Sequence, residues 1–355
     1  MREELCELGL KGARLNSGGI PFHGEREDAW YACLHSRIAQ RIQLQLTKSR
    51  ATSPKELYEL ARGIDWTPYI SPSQTVAVGI YCRSRYFTHS GATALTVKDA
   101  IVDQLRDTLG ERPNVDRDDP DVRIFVYISE DKVKLYLDLS GEPLHKRGYR
   151  QETGPAPIRE NLAAALIRLS GWDRESPLAD PLCGSGTIAI EAALWAGNTA
   201  PGLFREKFGF ERWADFDDDS RQRMHAMRED AWAGRNKQIP QLLASDADPE
   251  VLKAAQTNAK AAGLRLRFRQ TRIEDLQLSG KVRTVVTNPP YDERLETSRD
   301  TFREIGAAFS RMHGVRLGVL TGNSDLDKYI PVATVQRLPM KNGNIDCEFC
   351  VYRIP

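Results

Sequence analysis

A polar stretch with unusual chemistry ends an apolar run in the last third of the chain. The run VRTVV is followed by residues 287–291, which read TNPPY. The two prolines fix the backbone and remove two amide donors. Taken alone, the prolines could simply end a strand, with the tyrosine covering its edge.

Two other polar stretches also follow apolar runs. In DPLCGSGT, Gly184 and Gly186 allow a tight turn and close approach of a ligand, and the helix that follows offers free amide groups. The stretch lacks the spacing of a P-loop or of a GxGxxG dinucleotide motif. Further on, SDAD places Asp246 where a nucleoside-binding sheet holds ribose hydroxyls, whereas Asp248 could instead begin the helix that starts at Pro249.

The second half of the chain repeats a strand, loop and helix pattern. The apolar runs PLADPLC, QLLASDAD and VRTVVTNPPY each precede a helical pattern, and two strands near 333–339 and 346–353 close the chain. This alternation predicts a mostly parallel, doubly wound α/β sheet. Ligands bind such sheets at the carboxyl ends of the strands, which is where the three polar stretches fall.

The first half has a different texture. Residues 27–46 have helical apolar spacing, Ser53 can cap a helix with Glu56 three residues on, and residues 122–140 read as a β-hairpin. The mixture predicts an α+β module. A stretch rich in glycine and proline, residues 145–157, predicts a hinge to the second domain.

Composition narrows the class of protein. The 355 residues are 41% hydrophobic and 28% charged, with 50 basic against 49 acidic residues and a net charge of +1. This length predicts two or three domains, and the balance of charge does not by itself indicate nucleic acid. We expect a cytoplasmic protein, because the sequence has neither a long apolar run nor a signal-peptide pattern.

Cysteine usage argues against a metal centre. The six cysteines are scattered, and only Cys347 and Cys350 form a CxxC pair. A structural zinc site needs four ligands, and no second pair lies near. We therefore expect no metal, with both cysteines at alternating positions of a terminal strand.

The three stretches together resemble a known family. DPxCGSGT, SDxDP and NPPY, in this order and each after a strand, resemble S-adenosylmethionine-dependent methyltransferases that act on exocyclic amines of nucleobases. The resemblance narrows to the RlmL family of bacterial 23S ribosomal RNA guanine-N2 methyltransferases, carried by KDAIVDQL, RPNVDRDDPDVRI, LDLSGEPLHKRGYR, APIRENLAAAL, APGLFREKFGFERW and KNGNIDC.

The resemblance implies an architecture and a cofactor. It implies a Rossmann-like S-adenosylmethionine-dependent methyltransferase domain over 146–355, an RNA-binding THUMP domain over 51–145 and a partial ferredoxin-like subdomain over 1–50. The implied cofactor is S-adenosyl-L-methionine. The implied partner is RNA, either 23S ribosomal RNA or an intermediate of large-subunit assembly.

The resemblance also assigns roles to individual residues. It implies that the Asn288 side chain and the Pro289 carbonyl accept hydrogen bonds from the amine, that Pro290 helps to fix the backbone, and that Tyr291 stacks on a flipped base. The implied donor-binding residues are Pro157, Arg159, Glu160, Asp180, Cys183, Gly184, Ser185, Gly186, Thr187, Asp246, Ala247, Ile273 and Asn288. Arg159 and Glu160 could equally form an ordinary first helical turn.

Two positions depart from the family pattern. Arg272 stands where relatives place an aspartate near the adenine, so recognition of the adenine falls to the Ile273 backbone or to Asp275. Asp292 replaces the usual glycine after NPPY. We expect it to cap the next helix rather than to contact the base.

Contacts with RNA are predicted from basic and polar residues. The set is Lys98, Arg112, Asn114, Arg117, Lys146, Arg147 and Arg150, any of which could instead be a solvated surface residue. The insertion 201–213 interleaves Phe204, Phe208, Phe210 and Trp213 with cationic residues. This pattern suits stacking on RNA, but buried packing of an inserted lobe is the more frequent reason for it.

Other functions fit parts of the pattern. Transfer RNA guanine-N2 methylation requires the same two domains, and adenine-N6 methylation of DNA shares NPPY but does not explain the THUMP-like segment. A non-catalytic RNA-binding protein of ribosome assembly, with a relic donor fold, would accommodate Arg272 and Asp292.

Overall fold

The protein is represented by a computed structural model that describes residues 1–15, 19–153, 157–278, 280–290, 299–322, 324–330 and 332–355. Tyr291 and Asp292 lie outside the described residues. The chain forms two compact units. The first, unit 1, comprises Met1–Leu144 and Arg205–Asp230, and the second, unit 2, comprises His145–Phe204 and Ala231–Pro355.

Helices and strands alternate through both units. The described helices are α1 (Arg2–Glu7), α2 (Arg26–His35), α3 (Pro54–Arg62), α4 (Ser90–Leu109), α5 (Glu160–Leu169), α6 (Thr187–Ala196), α7 (Asp218–Ala233), α8 (Pro249–Ala261) and α9 (Arg299–Ser310). The described strands are β1 (Gln43–Arg50), β2 (Thr75–Arg83), β3 (Asn114–Val115), β4 (Val122–Ser129), β5 (Lys132–Asp138), β6 (Leu178–Asp180), β7 (Leu242–Asp246), β8 (Phe268–Gln270), β9 (Thr284–Thr287), β10 (Arg316–Thr321), β11 (Thr334–Asn342) and β12 (Ile345–Arg353).

Unit 1 is built on a mixed sheet with strand order β1-β5-β4-β2-β3. The hairpin predicted over 122–140 is confirmed as the antiparallel pair β4 and β5, while β2 runs parallel to β4. Along β4 every second side chain, from Val122 to Ile128, is fully buried. One face of the sheet therefore packs on the core and the other does not.

Local chemistry explains where the helices of unit 1 begin and end. The Ser53 hydroxyl accepts from the Glu56 amide at 3.3 Å, which confirms the predicted cap of α3. The helical prediction for 27–46 is right only as far as α2. The chain leaves the helix at Ser36, because the buried Glu4 carboxylate accepts from the Ser36 hydroxyl at 2.8 Å and from the Arg37 amide at 2.7 Å.

The insertion contributes a buried aromatic cluster to unit 1. The Phe210 ring stacks on Trp30 at 5.2 Å between centroids, and Trp213 meets Tyr69 edge to face at 5.6 Å. Phe208, Phe210 and Trp213 are each less than 5% exposed. Packing of an inserted lobe is therefore confirmed for these three rings, and stacking on RNA is wrong for them because their faces are covered.

Unit 2 is built on a second sheet, with strand order β11-β12-β10-β9-β6-β7-β8. The strands from β10 through β9, β6 and β7 to β8 run parallel, and β12 is antiparallel to its neighbours β10 and β11. The predicted doubly wound, Rossmann-like sheet is confirmed. Cys347 and Cys350 are both buried on β12 but pack into different core clusters.

Within the described parts of the chain, no helix combines the length and the apolar character that crossing a membrane requires.

Candidate active site

Three predicted site residues lie at neighbouring strand ends in unit 2. Asp180 ends β6, Asp246 ends β7, and Asn288 follows the last residue of β9. Strand β6 pairs in parallel with β7 on one side and with β9 on the other. Because the chain order reverses across β6, these three residues stand at the topological switch point, where α/β sheets hold their ligands.

Asp180 is a buried carboxylate with one oxygen in use. The Thr287 hydroxyl donates to Asp180 Oδ1 at 2.8 Å, and Oδ2 is buried with no hydrogen-bond partner among the described residues. Burial raises the Asp180 pKa to about 7, with a further rise from the nearby Asp246 charge, although the Thr287 hydroxyl and the Leu182 backbone amide oppose both. Oδ2 is therefore a candidate acceptor for a cationic or hydrogen-bonding group of a ligand.

The glycine loop is held between two strand ends. The Cys183 amide donates to the Ser245 carbonyl at 2.9 Å, and the Gly184 amide donates to Asp246 Oδ2 at 2.9 Å. Gly184 and Gly186 have φ values of +49° and +82°, which favour glycine. The turn delivers the chain into α6, whose first residue is Thr187.

Gly186 has no room for a side chain. A Cβ atom at Gly186 would lie 3.0 Å from Ala255 Cβ and 3.1 Å from the Phe268 ring. Gly263, at φ +69°, would meet nothing within 4 Å. Both substitutions carry the left-handed backbone strain, but crowding is added only at Gly186.

Gly186→Ala is therefore expected to destabilise unit 2 more than Gly263→Ala does. Strain alone is worth about 1 to 2 kcal/mol, and overpacking at Gly186 adds about 1 kcal/mol or more. Urea denaturation of both variants measures the difference in the free energy of unfolding. Equal losses in the two variants would show that the loop relaxes around the added methyl group.

Two aspartates at and just after the end of β7 have different roles. Asp246 is partly exposed, and its Oδ1 accepts from the Asp248 amide at 3.1 Å. Asp248 Oδ1 accepts from the Glu250 amide at 2.8 Å, ahead of Pro249 at the first helical position. Asp248 is thus confirmed as the N-cap of α8, and Asp246 and the exposed Ala247 remain as the candidates for the ligand.

The segment before α5 is fixed by an arginine. The Arg150 guanidinium donates to Glu160 Oε1 at 2.7 Å, to the Ile158 carbonyl at 2.8 Å and to the Thr187 hydroxyl at 3.0 Å. These bonds hold residues 158–160 against the start of α6. Pro157 and Arg159 are exposed beside the buried Glu160.

Two of the residues predicted to contact RNA have internal roles instead. Arg147 is 2% exposed, with its Nε 3.5 Å from Glu191 Oε1, which also accepts from the Tyr149 hydroxyl at 3.0 Å. A side chain so enclosed does not reach a phosphate, so the prediction for Arg147 is wrong. The prediction for Arg150 is corrected in the same way, because its donors bind Glu160 and Thr187.

The acceptor predicted at the third strand end is buried. Asn288 Oδ1 is inaccessible to solvent and has no hydrogen-bond partner among the residues described. Pro289 is buried and Pro290 is partly exposed. Because buried side-chain acceptors are nearly always satisfied in folded proteins, this oxygen is a candidate for a hydrogen bond to a ligand.

The third strand of the donor half ends in a short turn. Ile273 is 9% exposed at the start of a 3-10 turn, Ile273–Asp275. The Arg272 Nε donates to Glu274 Oε1 at 2.6 Å, so its charge is paired, and Asp275 is exposed. Both alternatives for contacting the adenine, the Ile273 backbone and Asp275, lie in this turn.

The other residues predicted to contact RNA are mostly on the surface. Arg112, Asn114, Arg117 and Lys146 are exposed, and the Lys98 side chain is 26% exposed and pairs with Asp99. Their role in binding RNA stays a prediction.

Comparison with known proteins gives the family. The model described as "RMKL-like, methyltransferase domain" matches residues 147–350, which is more than half of the chain. The chain belongs to this RMKL-like methyltransferase family. A THUMP domain model matches residues 51–138, and an RlmL ferredoxin-like domain model matches residues 1–43.

Individual relatives match this RMKL-like chain over nearly its whole length. Slr0064 of Synechocystis sp. is 37% identical over 99% of this chain and 93% of its own length. Ribosomal RNA large subunit methyltransferase K/L of Methylococcus capsulatus is 39% identical over 99% of this chain and 49% of its own. The chain thus spans about half the length of the K/L relatives that it matches.

A solved structure shares both the fold and the ligand class. SMU.472, solved in complex with S-adenosylhomocysteine, superposes with a TM-score of 0.88 at 28% identity over 99% of this chain and 94% of that one. The RMKL-like family uses S-adenosyl-L-methionine, and the residues present here fit that donor. The fit rests on Asp180 Oδ2, which has no hydrogen-bond partner in the described parts of the chain, and on the glycine turn, where a side chain at Gly186 would crowd its neighbours.

Proposed function

We propose that this protein transfers a methyl group from S-adenosyl-L-methionine to the N2 amine of a guanine in 23S ribosomal RNA. The observation that carries the proposal is the buried Asn288 Oδ1 at the switch point of the sheet, which has no hydrogen-bond partner among the described residues. This atom has the chemistry that an amine substrate requires, since it accepts an N–H and donates nothing.

The substrate nitrogen has to be made nucleophilic. The lone pair of a guanine N2 amine is delocalised into the ring. Hydrogen bonds from its two N–H groups to Asn288 Oδ1 and to the Pro289 carbonyl favour a pyramidal nitrogen. Prolines 289 and 290 offer no amide donor that would compete for these acceptors.

The proposed donor site and the proposed amine site lie on opposite sides of the hydrogen bond between Thr287 and Asp180. When bound, S-adenosyl-L-methionine supplies a methyl group on a positively charged sulfur. Asp180, in the glycine-loop half, is tied to Thr287, which directly precedes Asn288, at 2.8 Å. A fixed distance between the two halves favours catalysis by positioning, which is the main contribution available without a metal or a covalent intermediate.

The remaining donor contacts follow from the elements described above. We propose that Asp246 and Ala247 hold the ribose, that Cys183 and the loop Gly184–Thr187 bind the methionine end together with Asp180, and that Ile273 lies against the adenine. Pro157, Arg159 and Glu160 close over the donor. Arg150 positions this closing segment rather than binding the donor itself.

The RNA substrate is supported by the N-terminal domains. The THUMP and ferredoxin-like matches precede the methyltransferase domain, and the K/L relatives are named for large-subunit ribosomal RNA. We propose that Lys98, Arg112, Asn114 and Lys146 contribute phosphate contacts. Tyr291 is proposed to stack on the flipped base.

Methyl transfer with labelled donor tests the proposal. Purified protein is expected to label unmodified 23S ribosomal RNA, and nucleoside digestion is expected to release N2-methylguanosine as the labelled product. Transfer RNA at the same concentration is expected to accept at least about tenfold less label. Labelled adenine, preferential labelling of transfer RNA, or no transfer despite donor binding would each overturn the proposal.

A further inference from the structure

The outward face of the sheet in unit 1 carries aromatic rings in register. The Tyr81 and Tyr127 rings, on the paired strands β2 and β4, stack at 5.1 Å between centroids with an interplanar angle of 9°. Phe125 lies two residues along β4, opposite Tyr136 on β5. None of these four residues is in the buried core, and Tyr81 is 48% exposed.

Gly79 leaves space for the ring of Phe125, which forms the second aromatic pair with Tyr136. Gly79 is the β2 partner of Phe125, and a Cβ at that position would lie 3.3 Å from the Phe125 ring. Consequently the ring of Phe125 has no side chain beside it on β2. A partly exposed row of aromatic side chains results, in which Tyr81 is the most exposed ring, and nucleobases stack on exposed rings of this kind.

Cationic side chains border the rings on the same face. Lys48 on β1 pairs directly with Lys134 on β5, and the Lys134 ammonium lies 5.7 Å from the Tyr127 ring centroid. Like charges directly opposite each other destabilise a sheet. An anion bound between the two ammonium groups would relieve this repulsion.

The next row of the sheet adds further positive charge. Arg50 and Lys132 are paired on β1 and β5, and Arg83 on β2 stands opposite Ser129 on β4. Asp131 pairs with Arg50 at 3.1 Å, which neutralises one of the three cations. The face thus has rings at its centre and an excess of positive charge along one side.

We propose that this face of unit 1, centred on Tyr81 and Tyr127, binds a single-stranded segment of the RNA substrate by base stacking. The inference rests on the proposed function in so far as RNA is the substrate. Rings suit unpaired bases, because paired bases are already stacked within their helix, and the bordering lysines suit the phosphates between them. This surface is distinct from the residues predicted from the sequence to contact phosphates.

Fluorescence anisotropy with a labelled, mixed-sequence 12-nucleotide RNA tests the proposal without the methyl donor. The double variant Tyr81→Ala/Tyr127→Ala is expected to bind the single strand about tenfold more weakly or worse. Tyr81→Phe/Tyr127→Phe keeps both rings and is expected to retain affinity within about twofold. The same RNA annealed to its complement is expected to bind all proteins alike.

The matched control is an aromatic residue elsewhere on the surface. Trp232 is 42% exposed, and the Arg235 guanidinium lies over its ring at 3.6 Å. Trp232→Ala is expected to leave binding unchanged. Thermal unfolding of each variant identifies any loss that comes from misfolding.

Several outcomes would overturn the proposal. The first is equal RNA affinity in all variants, and the second is an equal loss of affinity in the alanine and phenylalanine double variants. The third is a dimer, seen by sedimentation, that dissociates in the alanine variant, because the face would then hold a second copy of the chain. Methyl transfer measured in parallel separates this proposal from the enzymatic one. If methyl transfer proceeds but RNA binding does not depend on the two tyrosines, only the stacking surface is rejected. If RNA binding depends on the tyrosines but no methyl group is transferred, only the enzymatic proposal is rejected.

Discussion

Asn288→Ala is expected to lower kcat for methyl transfer by about 100- to 1,000-fold, the usual effect of removing one pre-positioned polar group from a transition state. The physical reason is the loss of the acceptor that holds a substrate N–H. Because Asn288 is also proposed to contact the donor, the dissociation constant for the donor is expected to change, but by less than about tenfold. Single-turnover transfer at saturating donor measures the first effect, and calorimetry measures the second.

Stability provides a matched control for that variant. Asn288 Oδ1 is buried and has no partner within the described parts of the chain, so its removal is expected to cost less than about 1 kcal/mol of stability. Asn258 is also buried, but its Oδ1 accepts from the Gln151 and Glu152 amides at 2.8 and 3.1 Å. Asn258→Ala leaves those donors unpaired and is expected to lower the free energy of unfolding by about 1 to 3 kcal/mol.

A conservative variant makes the test specific. Asn288→Asp keeps an acceptor oxygen at the same length and is expected to retain more activity than alanine. Near wild-type kcat in Asn288→Ala would remove Asn288 from catalysis. A loss of stability as large as that of Asn258→Ala would indicate that the amide is structural.

The strand ends of the site were predictable from the sequence because their signals are local. Strand, polar residue and helix follow each other within a few positions at Asp180, Asp246 and Asn288, and parallel strands bring such positions to one edge. The bond between Asp180 and Thr287, 107 residues apart, carries no local signal. The pairing of strands that creates it is set by the whole sheet.

Charge on the surface was the least predictable property. Arg147 and Arg150 look like phosphate ligands in the sequence, since both are cationic and near a hinge. Their partners, Glu191 and Glu160, lie 44 and 10 residues away, and nothing in the spacing marks them as partners. A buried ion pair and an exposed cation have the same one-letter code, and only the fold tells them apart.

Tertiary contacts also override local periodicity. The apolar spacing over 27–46 continues past His35, but the Glu4 carboxylate binds Ser36 and Arg37 and ends α2 there, and residues from Gln43 onward become β1. The segment 205–230 belongs to unit 1 although it lies within the sequence of the methyltransferase domain match. Its aromatic residues find their partners, such as Trp30, almost two hundred residues earlier.

Asp180 is expected to make donor binding depend on pH. Its pKa of about 7 in the folded protein lies above the ordinary value of 3.8, chiefly because the group is buried. At pH 6 the free protein therefore holds a proton there. A donor whose ammonium binds the carboxylate has to displace that proton, so its dissociation constant is expected to rise about tenfold per pH unit below 7.

The same proton changes stability in the opposite direction. Between about pH 4 and pH 7 the folded protein binds a proton that the unfolded chain does not, so the contribution of Asp180 to the free energy of unfolding falls as pH rises and is constant above 7. Asp180→Asn mimics the protonated form. It is expected to remove this dependence and to be at least as stable as wild type at pH 8.

Asp180→Asn is also expected to weaken donor binding at pH 7.5 by about 100-fold or more, since it removes one partner of a buried charge pair. Calorimetry with S-adenosylhomocysteine at pH 6 and 7.5, in buffers of different ionisation enthalpy, measures both the dissociation constant and the protons released. Asp248→Asn is the control, because asparagine still caps α8 and the exposed residue is not at the proposed donor site.

A wild-type dissociation constant that does not vary with pH, or an equal pH slope in Asp180→Asn, would show that the Asp180 carboxylate does not bind the ammonium. The predicted combination, weaker binding with greater stability, separates a ligand-binding carboxylate from a structural one, because a structural carboxylate loses stability when its charge is removed.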